Sequence, residues 1–211
     1  MKKENIFALL AQAGFALAAA LLISIGLASC SKDKNKTEEG VVYMTTEKEM
    51  NDFLNLNIDE NDGPIFVEGA EVEASAKDEG WLKSRYKVSA KKLIVRGKFT
   101  RLDCSTCSLN YLDVSKKKDL KELRCLDNGL QKLDVSNNPK LTHLECQSTK
   151  ITGENLKLPN VKGIGEGVLR FKVSGDNDQK LSVKQVENIK NLGWKVFFYK
   201  DGSWQEYNGE D

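Results

Sequence analysis

The chain has 211 residues, a formal net charge of +1, 40% hydrophobic residues and 30% charged residues. Balanced charge argues against a nucleic-acid-binding protein, which shows a basic excess on one face. Three prolines and 16 glycines exclude collagen-like and proline-rich classes, and a single histidine leaves little material for zinc hydrolase chemistry.

The first thirty residues have the pattern of an export signal. Lys2 and Lys3 precede an almost wholly apolar stretch over 6–27. A positive start, an apolar core and a small-residue cleavage site are typical of a secretory signal. The stretch Leu27–Cys30 (LASC) resembles the bacterial lipoprotein box, which implies cleavage of residues 1–29 and lipid on the Cys30 thiol. An uncleaved membrane-spanning helix is the alternative, because the apolar stretch is long enough to cross a bilayer.

Residues 30–40 are predicted to form a disordered tether. The segment after Cys30 carries many charges and no apolar side chain, so burial cannot offset the entropy of ordering it. Charged residues just after a lipidated cysteine resemble the surface-export signal of Bacteroidota lipoproteins, although Asp33 is the only acidic residue close to Cys30. We therefore expect an outer-membrane lipoprotein that faces the cell surface, with a periplasm-facing protein as the alternative.

Residues 41–98 are predicted to form a β-rich N-terminal cap. Val41–Met44 is an apolar run, and apolar and polar residues alternate over 54–58 as in a half-buried strand. Asp62-Gly63 indicates a turn, and further strand-like stretches lie at 65–67, 86–88 and 93–95. Thr46–Glu49 matches a capping box and could instead open a short helix. We expect a small β-sandwich or sheet that covers the first coil of the repeat that follows.

A 21-residue repeat extends from Phe99 to about Val161. Its central copy, residues 120–140, reads LxxLxCxxNxLxxLDVSxNPx. Equivalent columns hold Phe99, Leu120 and Leu141, then Leu102, Leu123 and Leu144, then Cys104, Cys125 and Cys146. The period falls in the range of leucine-rich repeats, in which stacked coils bury a core that no coil could bury alone. The sequence thus predicts a solenoid of about three coils over 99–161.

Asn128 stands where the chain turns out of the strand in the central coil. Its amide can satisfy backbone groups inside the coil, and stacked coils would form an asparagine ladder. Cys107 and Thr149 occupy the same column in the first and third coils.

The pattern resembles the cysteine-bearing 21-residue repeats of internalin-J-like and related Bacteroidota surface proteins. The resemblance implies a role in adhesion or host interaction through a protein or glycan ligand. This chain departs from the family in its few coils, in the two replaced ladder positions, and in having a lipobox instead of a carboxy-terminal cell-wall sorting signal. Few coils give little concave area, so the adhesive role carries over with less force.

The cysteines of the repeat admit three interpretations. Cys104 and Cys107 have the spacing of a zinc knuckle, with Cys125 and Cys146 as further candidate ligands. Disulfides are a second interpretation in an exported chain. The repeat favours the third, a column of buried small hydrophobic side chains, since stacked thiols point in parallel and suit neither zinc nor disulfide geometry. We expect no metal and no cofactor, and keep a thiol- or metal-binding protein as an alternative.

Residues that alternate with the buried leucines and cysteines are predicted to point outward. We call these nine residues the strand face: Arg101, Asp103, Ser105, Glu122, Arg124, Leu126, His143, Glu145 and Gln147. They form a mixed-charge patch on the exposed sheet, where solenoids bind partners. None of the nine is aromatic, so solvated side chains without a partner are the alternative.

Residues 162–211 are predicted to form a carboxy-terminal cap. Ser182 and Gln185 match a capping box, an apolar stripe at 183, 186, 189 and 192 follows, and Gly193 ends the helix. Trp194–Tyr199 and Trp204–Tyr207 are expected to pair as a hairpin around Asp201-Gly202. The predicted fold class is therefore α/β leaning to mostly β.

The sequence shows no catalytic constellation. It has no Gly-x-Ser-x-Gly elbow, and His143 alone would have to serve any triad. The glycine-rich stretch 162–167 lacks the lysine and hydroxyl of a phosphate loop, and the lysines at 116–118 favour a solvated loop over an anion site. We expect a non-enzymatic, lipid-anchored protein that binds a protein or glycan at the bacterial surface and does not bind nucleic acid.

Overall fold

A computed structural model describes residues 40–59, 63–173 and 179–209 of the chain. The predictions for the signal peptide, Cys30 and most of the tether lie outside these residues, as does Asp62 of the predicted turn. From Gly40 onward the described residues belong to one compact unit. No helix in the described ranges is long and apolar enough to cross a membrane.

Strands dominate the described chain. They are β1 (Val41–Thr46), β2 (Phe53–Asp59), β3 (Phe66–Glu68), β4 (Ala70–Asp78), β5 (Trp81–Val88), β6 (Lys92–Arg96), β7 (Arg101–Asp103), β8 (Leu109–Asp113), β9 (Glu122–Arg124), β10 (Leu133–Asp134), β11 (His143–Glu145), β12 (Leu156–Lys157), β13 (Gly167–Val173), β14 (Trp194–Lys200) and β15 (Ser203–Glu206). One helix, α1 (Val183–Asn191), lies between β13 and β14.

A nine-stranded sheet forms the long wall of the protein, in the order β15-β14-β13-β11-β9-β7-β2-β5-β4. Its central strands β7, β9, β11 and β13 pair in parallel, and Leu102, Leu123, Leu144 and Leu169 lie in register across them. All four leucines are fully buried. The mostly-β solenoid that the repeat predicts is therefore present.

The solenoid has about four turns, whereas the sequence predicts about three. The extra turn comes from β13, which lies within the residues predicted to form the carboxy-terminal cap. Leu169 takes the place next to Leu144 although the two are 25 residues apart rather than one 21-residue period. The sheet thus continues after the sequence repeat has ended, because the loop before β13 absorbs the added residues while the buried leucine column is kept.

The N-terminal cap continues both walls of the solenoid instead of only covering the first coil. In the long wall, β2 pairs antiparallel with β7, with Ile58 beside Leu102. In the second wall, of order β3-β6-β1-β8, strand β1 pairs antiparallel with β8 of the first coil. The short helix considered at Thr46–Glu49 does not form, since Thr46 ends β1 and 47–52 form a connection to β2. The sequence also misses β4, an edge strand whose residues are almost all exposed.

The cysteine column lies inside the coils, as the repeat predicts. Cys104, Cys125 and Cys146 are fully buried free thiols, and the buried Phe171 follows Cys146 in the next turn. Burial raises the pKa of the Cys104 and Cys125 thiols well above the ordinary value, and raises that of Cys146 to about 12. These thiols are therefore core side chains in the protonated form.

Beyond β13, the carboxy-terminal segment forms one helix and a hairpin. The Ser182 side chain accepts from the Gln185 backbone N–H and the Gln185 side chain accepts from the Ser182 N–H, which completes the capping box. Val186 and Ile189 bury the apolar side of α1, and Gly193 follows the helix at φ +92°, which a glycine adopts without strain. Strands β14 and β15 then form the expected hairpin.

Candidate functional site

The strand face lies on the outer side of the long wall, where each short strand offers two outward residues around a buried leucine. The outward pairs are Arg101 and Asp103 on β7, Glu122 and Arg124 on β9, and His143 and Glu145 on β11. Only His143 of these six is exposed, and the others are partly buried. Mutual packing of their side chains reduces the exposure of the face.

Charges on this face alternate from strand to strand. Parallel register places Asp103 beside Arg124, Arg124 beside Glu145, and Glu145 beside Arg170 of β13, and we call these four residues the charged row. Arg170 Nη1 lies 2.6 Å from Glu145 Oε1, and Arg124 Nε lies 3.7 Å from the same oxygen. Arg124 also contacts Glu122 at 2.6 Å. The side chains of both glutamates are at most 16% exposed, so these pairs are better shielded than ordinary surface ion pairs.

A tryptophan lies near each end of the charged row. Trp81 lies at the start of β5. The centroid of its ring is 4.3 Å from the Arg101 guanidinium carbon and 5.3 Å from that of Arg124. The ring of Trp204 on β15 lies 4.8 Å from the Arg170 guanidinium carbon. Arginine over an aromatic ring at these distances is a cation–π contact.

Sequence reasoning missed Arg170, Trp81 and Trp204 as members of this surface. Arg170 falls outside the 21-residue register, and the tryptophans are distant from the repeat in the chain. The available signal was their type, since tryptophan and arginine are enriched at interaction hot spots. Only the pairing of β5 and β15 within the same sheet brings them to the face.

The three remaining strand-face residues lie beyond the strand ends. The prediction that Gln147 points to solvent is wrong, because its side chain is buried and its Oε1 lacks a partner among the described residues. Ser105 is partly buried, and its Oγ likewise has no hydrogen-bond partner among the described residues. Leu126 is also partly buried. Strand alternation does not reach these positions because β11 already ends at Glu145 and Ser148 turns the chain at φ +54°.

A groove lies on the opposite wall, between β8 and β10. Its volume is about 410 Å³, and the exposed Tyr111 ring lies at one side. Its other polar lining residues include Asp113, Lys132, Asp134, Asn137, Asn155 and Lys157. The hydrogen bond from the Ser136 hydroxyl, with Lys157 nearby, lowers the pKa of Asp134. This groove therefore combines an open aromatic ring with carboxylate and amide groups.

The first coil holds a second cysteine, Cys107. Cys107 is buried as well, and its Sγ donates to the Asn55 carbonyl at 3.1 Å. Burial raises its pKa to about 12. Among the described residues, no group of three or more His, Cys, Asp or Glu side chains is arranged to hold a metal ion.

Comparisons with known proteins identify no family for this chain, so its class is described from its fold. No protein-family model, no curated protein and no solved structure matches this chain. The fold and the site define a mostly-β protein built on a β-solenoid of about four turns, with a partly buried, mixed-charge sheet face.

Proposed function

We propose that this chain is a lipid-anchored leucine-rich-repeat protein of the bacterial outer membrane that binds a protein partner through its strand face. The observation that carries the proposal is the charged row with Trp81 and Trp204 near its ends. Tryptophan and arginine dominate interaction hot spots, and here both are held in place by contacts within the sheet. Side chains that are already ordered lose less entropy when a partner binds.

A protein fits this face better than a glycan does. Sugars bind by stacking on open aromatic rings, whereas Arg101 and Arg170 already cover the rings of Trp81 and Trp204. The alternating charges of the charged row offer a flat protein surface specific complementary pairs.

A binding screen followed by charge reversal tests this assignment. Soluble residues 31–211 would be screened against purified extracellular proteins, and any ligand found would be titrated against Arg124→Glu and Trp81→Ala. We expect at least a tenfold loss of affinity for each variant, because both remove hot-spot contacts. Lys184→Glu, at an exposed position of α1, is the matched control. Unchanged affinity in Arg124→Glu and Trp81→Ala would place the binding site elsewhere.

The lipid anchor is supported by the Lys2–Lys3 start, the apolar stretch and the small residues before Cys30. Metabolic labelling with a fatty acid tests it, and Cys30→Ala should abolish the label. Protease added to intact cells then separates a surface-facing protein, which is degraded, from a periplasm-facing accessory protein, which is protected.

Glycan binding is the second candidate, and the groove beside Tyr111 favours it. An exposed phenol ring can stack on a sugar ring, while Asp113, Asn137 and Asn155 can hydrogen-bond to hydroxyls. A glycan array with Tyr111→Ala as the comparison tests this candidate. Glycan signals that persist in Tyr111→Ala would exclude this groove.

A further inference from the structure

Five cationic side chains line one groove at a corner of the first coil. The groove has a volume of about 600 Å³, and its cations are Arg96, Lys98, Lys116, Lys117 and Lys118. Asp119 is the only acidic residue among the described residues of its lining. This concentration of positive charge is unexpected in a chain whose net charge is +1.

One of these cations is built into the protein. The Lys117 side chain is 2% exposed, and its Nζ lies 3.1 Å from Asp119 Oδ1 and donates to the Gly97 carbonyl at 3.1 Å. The same Nζ lies 4.2 Å from the centroid of the Phe99 ring. The expectation that all three lysines at 116–118 belong to a solvated loop therefore does not hold for Lys117.

The other cations leave a net positive surface at the groove. Lys98, Lys116 and Lys118 are exposed, and Lys118 Nζ donates to the backbone carbonyl of Asn137 at 3.2 Å. Arg96 is paired with Glu68, and Lys117 with Asp119. Among the described lining residues, three positive charges remain in excess when these two pairs are counted as neutral.

The groove also lies where the N-terminal segment joins the folded body. Gly40 lines the groove, and its N–H donates to the Lys116 carbonyl at 2.8 Å. Gly40 comes ten positions after Cys30, and an extended chain of that length spans at most about 35 Å. A lipid on Cys30 would therefore keep this corner of the body, and not the far cap, close to the membrane.

We propose that this basic groove docks the folded body on phosphate headgroups of the membrane that holds its lipid. The inference rests on the lipid anchor of the proposed function. Charge complementarity and the position of Gly40 select anionic headgroups as the occupant, and electrostatic attraction acts over about a Debye length of the surface. The groove lies between β8 and β9 in the chain, and none of its described lining residues belongs to the charged row.

Vesicle sedimentation of soluble residues 31–211 tests the docking surface without the lipid. We expect binding to phosphatidylcholine vesicles that contain phosphatidylglycerol, weak binding to phosphatidylcholine alone, and loss of binding at high salt. The triple variant Lys98→Glu, Lys116→Glu, Lys118→Glu should weaken partitioning on the order of 100-fold or more, since it removes three cations and adds three repulsive charges. These side chains are exposed, so the unfolding midpoint should stay close to that of the original protein.

The matched control carries the same change of net charge elsewhere, as Lys150→Glu, Lys162→Glu, Lys184→Glu, three exposed lysines outside the groove. Equal loss of vesicle binding in both triple variants would show a net-charge effect and overturn the docking surface. Absence of any binding to anionic vesicles would overturn it as well, as would inorganic phosphate that saturates the groove while anionic vesicles are ignored. Failure of lipid labelling at Cys30 would instead contradict the anchor, so the two failures are distinguishable.

Discussion

Single polar residues satisfy the backbone inside the solenoid, and Asn128 shows how. Its Oδ1 accepts from the Leu109 N–H at 2.8 Å, while its Nδ2 donates to the carbonyls of Cys104, Cys125 and Leu126 at 3.0–3.1 Å. One buried amide thus serves two successive coils.

Replacing Asn128 with alanine should destabilise the fold strongly. The change leaves buried backbone groups on two coils without partners, and each such group costs about 1–3 kcal/mol. We expect Asn128→Ala to lower the free energy of unfolding by about 2–4 kcal/mol in urea denaturation. Asn188→Ala, on the exposed side of α1, is the control and should change it little. Similar urea midpoints for both variants would contradict a stabilising role for the hydrogen bonds that Asn128 makes to the two coils.

The buried thiols should make stability fall at alkaline pH. Their ordinary pKa is 9.0, and burial raises those of Cys107 and Cys146 to about 12. Between these values the unfolded chain releases thiol protons that the folded chain retains, so the free energy of unfolding decreases as pH rises from 9 towards 12. Each thiol contributes a slope of about 1.4 kcal/mol per pH unit.

Urea denaturation at a series of pH values measures this slope. The double variant Cys125→Val, Cys146→Val keeps the size and apolar character of the column and should show a shallower decline above pH 9. Lysines and tyrosines also titrate in this range, but both proteins share them. Parallel curves for the two proteins would show that the thiols are ionised in the folded state.

Elements in this protein are short and depend on their neighbours. The solenoid strands β7, β9 and β11 have only three residues each, too few for a stable isolated strand. Parallel pairing in register stabilises them by stacking the leucine and cysteine columns. By contrast α1, the one helix of the described chain, has its own local stop and start signals.

Removal of the capping box should therefore destabilise the start of α1. Ser182→Ala deletes the side-chain acceptor for the Gln185 N–H, a loss that costs about 1 kcal/mol in comparable helices. Thermal unfolding followed by circular dichroism would register this as a lower midpoint. Ser203→Ala, in the exposed β14–β15 hairpin, provides the comparison. An unchanged midpoint in Ser182→Ala would show that tertiary packing alone sets this helix end.

At the scale of the whole molecule, the N-terminal cap and the solenoid share both walls. Pairing of β2 with β7 and of β1 with β8 closes the open end of the first coil, where Phe99 and Leu102 are fully buried. An uncapped solenoid exposes its core at that end.

A fragment of residues 99–211 should consequently fail to fold cooperatively. It leaves the β7 and β8 edges unpaired and exposes Phe99 and Leu102, which favours aggregation. Residues 40–211 should retain a single sharp urea transition, because they keep the pairing of β2 with β7 and of β1 with β8. A cooperative transition of the short fragment at the same urea concentration would show that the cap is independent of the repeat.

The sequence by itself determined the features that depend on local pattern. The 21-residue period predicted the coils, the buried columns and the outward positions of Arg101, Arg124 and Glu145, because alternation and stacking follow from spacing along the chain. The capping box at Ser182 likewise predicted the start of α1, because its two hydrogen bonds lie within three residues.

Tertiary structure alone decided the features that join distant segments. The fourth turn, the fusion of β2 with β7 and the gathering of Trp81, Trp204 and Arg170 around the charged row have no periodic signal. The basic groove is of the same kind, since Arg96 and Lys98 meet the lysines at 116–118 only when the first coil closes. Contacts between such distant residues depend on which strand edges pair. Edge pairing is set by the burial of the whole core instead of by residues that are neighbours in the chain.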